Sequence, residues 1–161
     1  MEYTDVLISI RKIIRAINLE SKRIEKEYGI SIPQLLCLDY LNKKFNFQAT
    51  STELKKFLQL NASTVTGIIA RLEKKGLVAK LPKSPKDKRV THITITSKGA
   101  ELLERKPLLM HEQLSTKLKD MPTKELDQLR QSIDLLVEFM GVSKVEASPV
   151  ITSEEDIAAQ E

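Results

Sequence analysis

Ser63, Gly67, Ala70 and Lys74, flanked by Thr64, Thr66 and Arg71, fall on one side of a helical wheel drawn at roughly 100° per residue. Val65, Ile68, Ile69 and Leu72 fall on the other side. The polar side carries small side chains, hydroxyls that donate and accept, and cations at its far end. Such a surface approaches base edges in a major groove closely and reaches phosphates from its rim. Downstream, Pro82-Lys83-Ser84-Pro85-Lys86-Asp87-Lys88-Arg89 is turn-forming and strongly basic. Lys83, Lys86 and Lys88 suit phosphate. Arg89 is the first candidate for the negative potential of a minor groove. Asp87 cannot attract phosphate; two residues before Arg89, it is placed to accept hydrogen bonds from the guanidinium or from loop amides and to orient the tip.

Each residue also has a plainer explanation. A helix-interior glycine costs about 1 kcal/mol relative to alanine, so Gly67 is either a point of close approach to a ligand or a tolerated weak spot. Local backbone capping accounts for Ser63 and Thr64 equally well. Thr66 lies too far into the helix to cap it and is the best functional candidate of the three hydroxyls.

The charge distribution agrees with a polyanion-binding middle. Between Thr52 and Lys98 there are eleven basic residues against Glu53, Glu73 and Asp87, a net +8 in a chain of net +4, so the remainder carries −4. After Lys144 the chain has acids and no basic residue. A basic centre with neutral-to-acidic flanks reads as a nucleic-acid surface on a scaffold with other work to do.

Composition narrows the class. At 161 residues, 41% apolar and 30% charged, the chain suits one folded domain. Met1-Glu2-Tyr3-Thr4-Asp5 carries acids where a secretory signal is basic, and no apolar run approaches membrane-spanning length, so a cytoplasmic location without membrane contact is expected. Cys37 is the single cysteine and there are two histidines, His92 and His111. No intramolecular disulfide is possible, and no metal site, cofactor-binding loop or nucleophile constellation emerges, so an enzyme is not expected. Cys37 lies in the apolar run Leu35-Leu36-Cys37-Leu38, where a thiol acts as a small hydrophobe; redox sensing is the alternative.

The elements that must position these groups follow from periodicity and caps. Val6, Leu7, Ile10, Ile13, Ile14, Ile17 and Leu19 predict an amphipathic helix over about 4–28, stopped by Gly29. Ser31-Ile32-Pro33 opens a second helix to about Lys44. Asn46 to Ser51 is a polar stretch, and Thr50 and Glu53 have capping-box spacing for a short helix to Leu58. Asn61 caps the next helix, which ends at Gly76. Two short helices so closely linked form a helix-turn-helix. Leu77–Leu81 and Val90–Thr96 predict strands of a hairpin with the basic loop at its tip, which is a wing. Beyond Gly99 the leucines predict one helical run to about Lys119, and Leu126, Leu129, Ile133, Leu136, Phe139 and Met140 predict another. The expected fold is mainly α with a small β-hairpin wing: a winged helix-turn-helix over 30–99, with dimerisation helices over 4–28 and 100–140. A single domain then spans 1–140, and 141–161 is an acidic tail.

Leu72-Glu73-Lys74-Lys75-Gly76-Leu77-Val78, then Asp87-Lys88-Arg89, then Ile95-Thr96-Ser97-Lys98-Gly99 resemble, in order and spacing, the signature of the MarR family of transcription regulators. The looser match extends over about Thr4 to Met140. The resemblance implies a homodimer whose first and last helices intertwine, a recognition helix over 62–75 and a wing over 82–90. It also implies that Asp87 and Arg89 form the wing pair, that repression is the usual outcome, and that a small, often anionic aromatic effector is a possible partner. Gly67 departs from the larger polar or basic residue of many relatives, which puts base contacts there in doubt. Ile14–Ser21, Pro33–Leu36 and Ala147–Val150 are similar to a subgroup that includes repressors of compatible-solute (ectoine-type) synthesis genes.

The apolar stripes of the first and last helices exceed what a small winged-helix core covers, so they are expected to pair with a second copy. A two-fold dimer presents two recognition helices to duplex DNA, on a pseudo-palindromic operator with half-sites about one helical turn apart. The alternatives are a monomeric bundle and a winged-helix module that binds protein without specific DNA binding.

Overall fold

The computed structural model describes residues 2–83, 85, 86 and 88–148. The expectations for Asp87, Ser84 and Pro149–Val150, and for the tail beyond Ser148, therefore lie outside the described residues. The described chain forms two compact units, one ending at Pro107 and one beginning at Leu108.

In the first unit α1 runs over Tyr3–Tyr28 and ends at Gly29, whose φ of 69° turns the chain into the left-handed region. Helix α2, Ile32–Lys43, starts from a full capping box: the Ser31 hydroxyl accepts from the Gln34 amide, and the Gln34 side chain accepts from Ser31 N–H. Strand β1, Gln48–Thr50, precedes α3, Ser51–Leu58. Asn61 caps α4, Ala62–Lys74, by accepting from Thr64 N–H at 2.8 Å. Strands β2, Val78–Lys80, and β3, His92–Ile95, lead into α5, Ser97–Arg105.

Helix α2 is the hub of this unit. Ile32, Leu35, Leu36, Cys37, Leu38 and Leu41 are all buried, and α3, α4, α5 and β3 pack against it. The buried face of α4 is Val65, Ile68, Ile69 and Leu72, the apolar face predicted from its periodicity. Tyr40 of α2 stacks on Phe57 of α3 with ring centroids 4.6 Å apart, which fixes the first helix of the helix-turn-helix against the hub.

The sheet has three strands in the order β1-β3-β2, all antiparallel. The sequence predicts only the β2–β3 hairpin. β1 lies in the stretch read as polar linker, and its three residues are too few to show alternation; it is recruited by β3, with Ala49 opposite Ile93. The hairpin register places Val78 opposite Ile95 and Lys80 opposite Ile93, and Leu81 N–H donates to the His92 carbonyl at the base of the basic loop.

Gly99 anchors α5 to this hairpin. A Cβ there would collide with the Leu77 carbonyl oxygen and stand 2.8 Å from Ile95 Cγ1, so only glycine allows the approach. Thr96 caps α5 at the Gly99 amide and also donates to the Gly76 carbonyl at 2.7 Å.

In the second unit α6 covers Met110–Lys119 and α7 covers Thr123–Phe139. The helical run predicted from Gly99 to Lys119 is thus two helices. Pro107 has no N–H to donate and disfavours helical geometry at Lys106, so α5 stops at Arg105. Neither α6 nor α7 contains a buried residue; Leu126, Leu129, Ile133 and Phe139 of α7 are exposed.

Candidate nucleic-acid interface

Caps at both ends and burial of one face hold α4 in place. Asn61 fixes its start. At its end, Gly76 takes φ 72° and Leu77 N–H donates to the Leu72 carbonyl. The opposite face is left to solvent: Ser63, Thr66, Ala70, Arg71 and Lys74 are exposed, while Thr64 and Gly67 are half-buried.

The hydroxyls on this face are engaged locally. The Ser63 hydroxyl donates to Asn61 Oδ1 at 2.8 Å, which is a capping role. Thr66 Oγ1 donates to the Ala62 carbonyl at 2.8 Å, one turn back in its own helix. Thr66, the sequence's best hydroxyl candidate, therefore offers a partner its acceptor lone pairs and methyl group while its proton stays with the helix. Arg71 is positioned differently. Its guanidinium folds back along α4 toward Gly67, and a Cβ at 67 would be 3.5 Å from both terminal nitrogens.

One acid, Glu73, is exposed beside this face. Glu73 is held 3.9 Å from Lys80. Glu53 accepts from Thr50 N–H at 2.7 Å and from Lys44 Nζ at 3.2 Å. The backbone hydrogen bond first, then Lys44, lower the Glu53 pKa, and the same pair raises that of Lys44. Neither Arg71 nor Lys74 has an ion-pair partner among the described residues. Lys83, Lys86, Lys88 and Arg89 are exposed in the loop between β2 and β3. The structure thus gathers the predicted α4 residues on one face and the predicted wing cations in one loop; Asp87 is not described.

Sequence reasoning missed a set of bonds that tie α4 to its neighbours. Lys75 Nζ donates to the Gly29 carbonyl at the end of α1, and Lys98 Nζ donates to the Lys75 carbonyl at 2.9 Å. These contacts span 46 and 23 residues and leave no local signature. Cys37 is fully buried in α2, and burial pushes its thiol up to about 12. No group of three or more potential metal ligands occurs among the described residues.

A capped, solvent-facing helix after a short helix and a brief link, followed by a hairpin with a cationic tip, defines a winged helix-turn-helix. Residues 30–91 match the model of the MarR family. The HTH-type transcriptional repressor IacR of Pseudomonas putida is 27% identical over 115 residues, which cover 71% of this chain and 67% of that protein. The uncharacterized HTH-type transcriptional regulator YsmB of Bacillus subtilis is 31% identical over 100 residues, covering 62% of this chain and 66% of its own length. Among solved structures, Sco3205 of Streptomyces coelicolor, a MarR family transcriptional regulator in complex with DNA, superposes with a TM-score of 0.63. At 20% identity that likeness covers 91% of this chain and 94% of the other, and it speaks for the fold. Over residues 30–91 the chain is thus similar to the MarR family of transcription regulators.

Proposed function

We propose that the protein is a sequence-specific DNA-binding repressor that acts as a homodimer on a pseudo-palindromic operator. The observation that carries this reading is the pairing of an outward α4 face that bears Arg71 and Lys74, with its one exposed acid, Glu73, held near Lys80, and a cationic loop at the end of the adjoining hairpin. In this reading Ser63, Thr64, Thr66, Gly67, Ala70, Arg71 and Lys74 lie in the major groove. Lys83, Lys86, Lys88 and Arg89 lie on the flanking backbone and minor groove, with Asp87 orienting Arg89. IacR is named a repressor, which supports that direction of control.

Two features support the homodimer. Helix α1 buries only Ser21 and Ile24 and exposes Val6, Leu7, Ile8 and Ile13. Helix α7 exposes Leu126, Leu129, Ile133 and Phe139. Faces of this kind on 26- and 17-residue helices are what a second copy covers. Residues 1–140 then act as one MarR-like domain followed by an acidic tail. No helix among the described residues is long and apolar enough to cross a membrane; the regulator is read as cytoplasmic and non-enzymatic. The likeness of Ile14–Ser21 and Pro33–Leu36 to regulators of compatible-solute genes makes such promoters the first place to seek operators.

Selection of genomic fragments by the purified protein, followed by sequencing, tests the reading together with the mass of the free protein in solution. Recovery of one inverted-repeat motif by a species of twice the chain mass supports it. A monomer with no enriched motif overturns it and leaves the protein-interaction module.

A further inference from the structure

Two stretches of this chain carry complementary charge. After Lys144 come Glu146, Glu154, Glu155, Asp156 and Glu161 and no basic residue, with three of the acids consecutive. Residues 52–98 carry the opposite excess, and their described acids are already engaged: Glu53 by Thr50 N–H and Lys44, Glu73 by Lys80 at 3.9 Å. Arg71 and Lys74 stand on the exposed face of α4 without an ion-pair partner among the described residues, and Lys88 is exposed in the wing loop. Helix α1 also exposes Arg11, Arg15 and Lys22. Its six basic residues are offset by Asp5, Glu20, Glu25 and Glu27 to a net +2, against +8 for residues 52–98. The stronger field lies on α4 and the wing.

We propose that the acidic segment Glu154–Asp156 docks on Arg71, Lys74 and Lys88 and competes there with duplex DNA. The competition rests on the DNA-binding reading; the docking does not. Reach is sufficient. From Met140, which closes α7, to Glu154 the extended backbone spans up to about 45 Å, and a compact unit of about 100 residues has a radius of gyration of about 13 Å. The tether also holds the acids at an effective concentration in the millimolar range, so exposed ion pairs that are individually weak suffice to occupy the surface part of the time. The phosphates of a duplex, more numerous and more closely spaced, displace them. Because the segment leaves before any duplex binds, its cost falls equally on operator and random sequence.

The test compares the full chain with the triple variant Glu154→Gln, Glu155→Gln, Asp156→Asn, first without DNA, by backbone amide resonances. Differences at Arg71, Lys74 and Lys88 that fade as salt rises to about 0.5 M are expected, since screening then confines charge interactions to a few ångströms. Differences confined to residues 145–161, or centred on Arg11, Arg15 and Lys22, overturn the docking. Anisotropy of labelled duplex then measures the competition. The variant should bind operator and random duplex more tightly by the same factor, about threefold at low salt, and the gain should vanish at high salt. Equal affinity of the two proteins overturns the competition. Tighter binding without the resonance differences overturns the docking in favour of through-space repulsion of DNA. If neither protein binds DNA, the regulator reading fails and the resonances still decide the docking.

Discussion

The guanidinium of Arg71 rests against the bare backbone of Gly67, where a Cβ would meet Nη1 and Nη2 at 3.5 Å. That separation is ordinary van der Waals contact, so a methyl group fits and a longer side chain does not. Gly67→Ala should therefore leave DNA affinity within about twofold and raise stability by up to about 1 kcal/mol through helix propensity. Gly67→Gln should displace Arg71 and, on the proposed reading, weaken operator binding. Melting curves and operator titrations check both variants. Loss of binding in Gly67→Ala would mean that the glycine serves close approach of DNA to the helix backbone instead.

Cys37 should be inert in the native protein. Its thiol is fully buried, and burial pushes its pKa up to about 12, so the nucleophilic thiolate is scarce at neutral pH. Reaction with an aromatic disulfide reagent at pH 8 should require unfolding, and peroxide should leave DNA binding intact. Rapid labelling of the folded protein would revive oxidant sensing at this position.

Glu53 ties the start of α3 to the Thr50 amide and to Lys44. Its pKa is lowered on folding, so its contribution is full above the ordinary glutamate range and is lost as pH falls through the lowered folded value. Glu53→Gln should therefore be less stable than wild type at pH 7, by well under about 1 kcal/mol because the side chain is exposed and screened. The two proteins should converge on acidification. Urea unfolding at neutral and acid pH reads the difference; a gap that persists at low pH would contradict this account.

The parts of the fold that were legible in the sequence are those written locally. Ser31, Thr50 and Asn61 are caps, Gly29 and Gly76 are stops, and Val65, Ile68, Ile69 and Leu72 are the buried face of α4. What was not legible depends on distant partners or on short segments. β1 exists because β3 offers it a ladder, and the break at Pro107 is masked by leucines that continue a helical period across it. Among site residues, the cationic face of α4 was legible, yet the local bond of Thr66 to Ala62 and the long-range bond of Lys75 to Gly29 were not. A hydroxyl at an outward-facing position looks the same in sequence whether its proton is free or already given to the helix.

The most direct test of the central claim is anisotropy of a labelled operator duplex titrated with wild type, Arg71→Ala and Arg89→Ala at two salt concentrations, with random duplex as competitor. The account predicts selective wild-type binding that weakens as salt rises. Arg71→Ala should lose about 1–3 kcal/mol and with it selectivity at one base pair of each half-site. Arg89→Ala should weaken binding through the loss of its minor-groove contact. Equal binding of operator and random duplex by the wild type, or full selectivity retained in both variants, would contradict it.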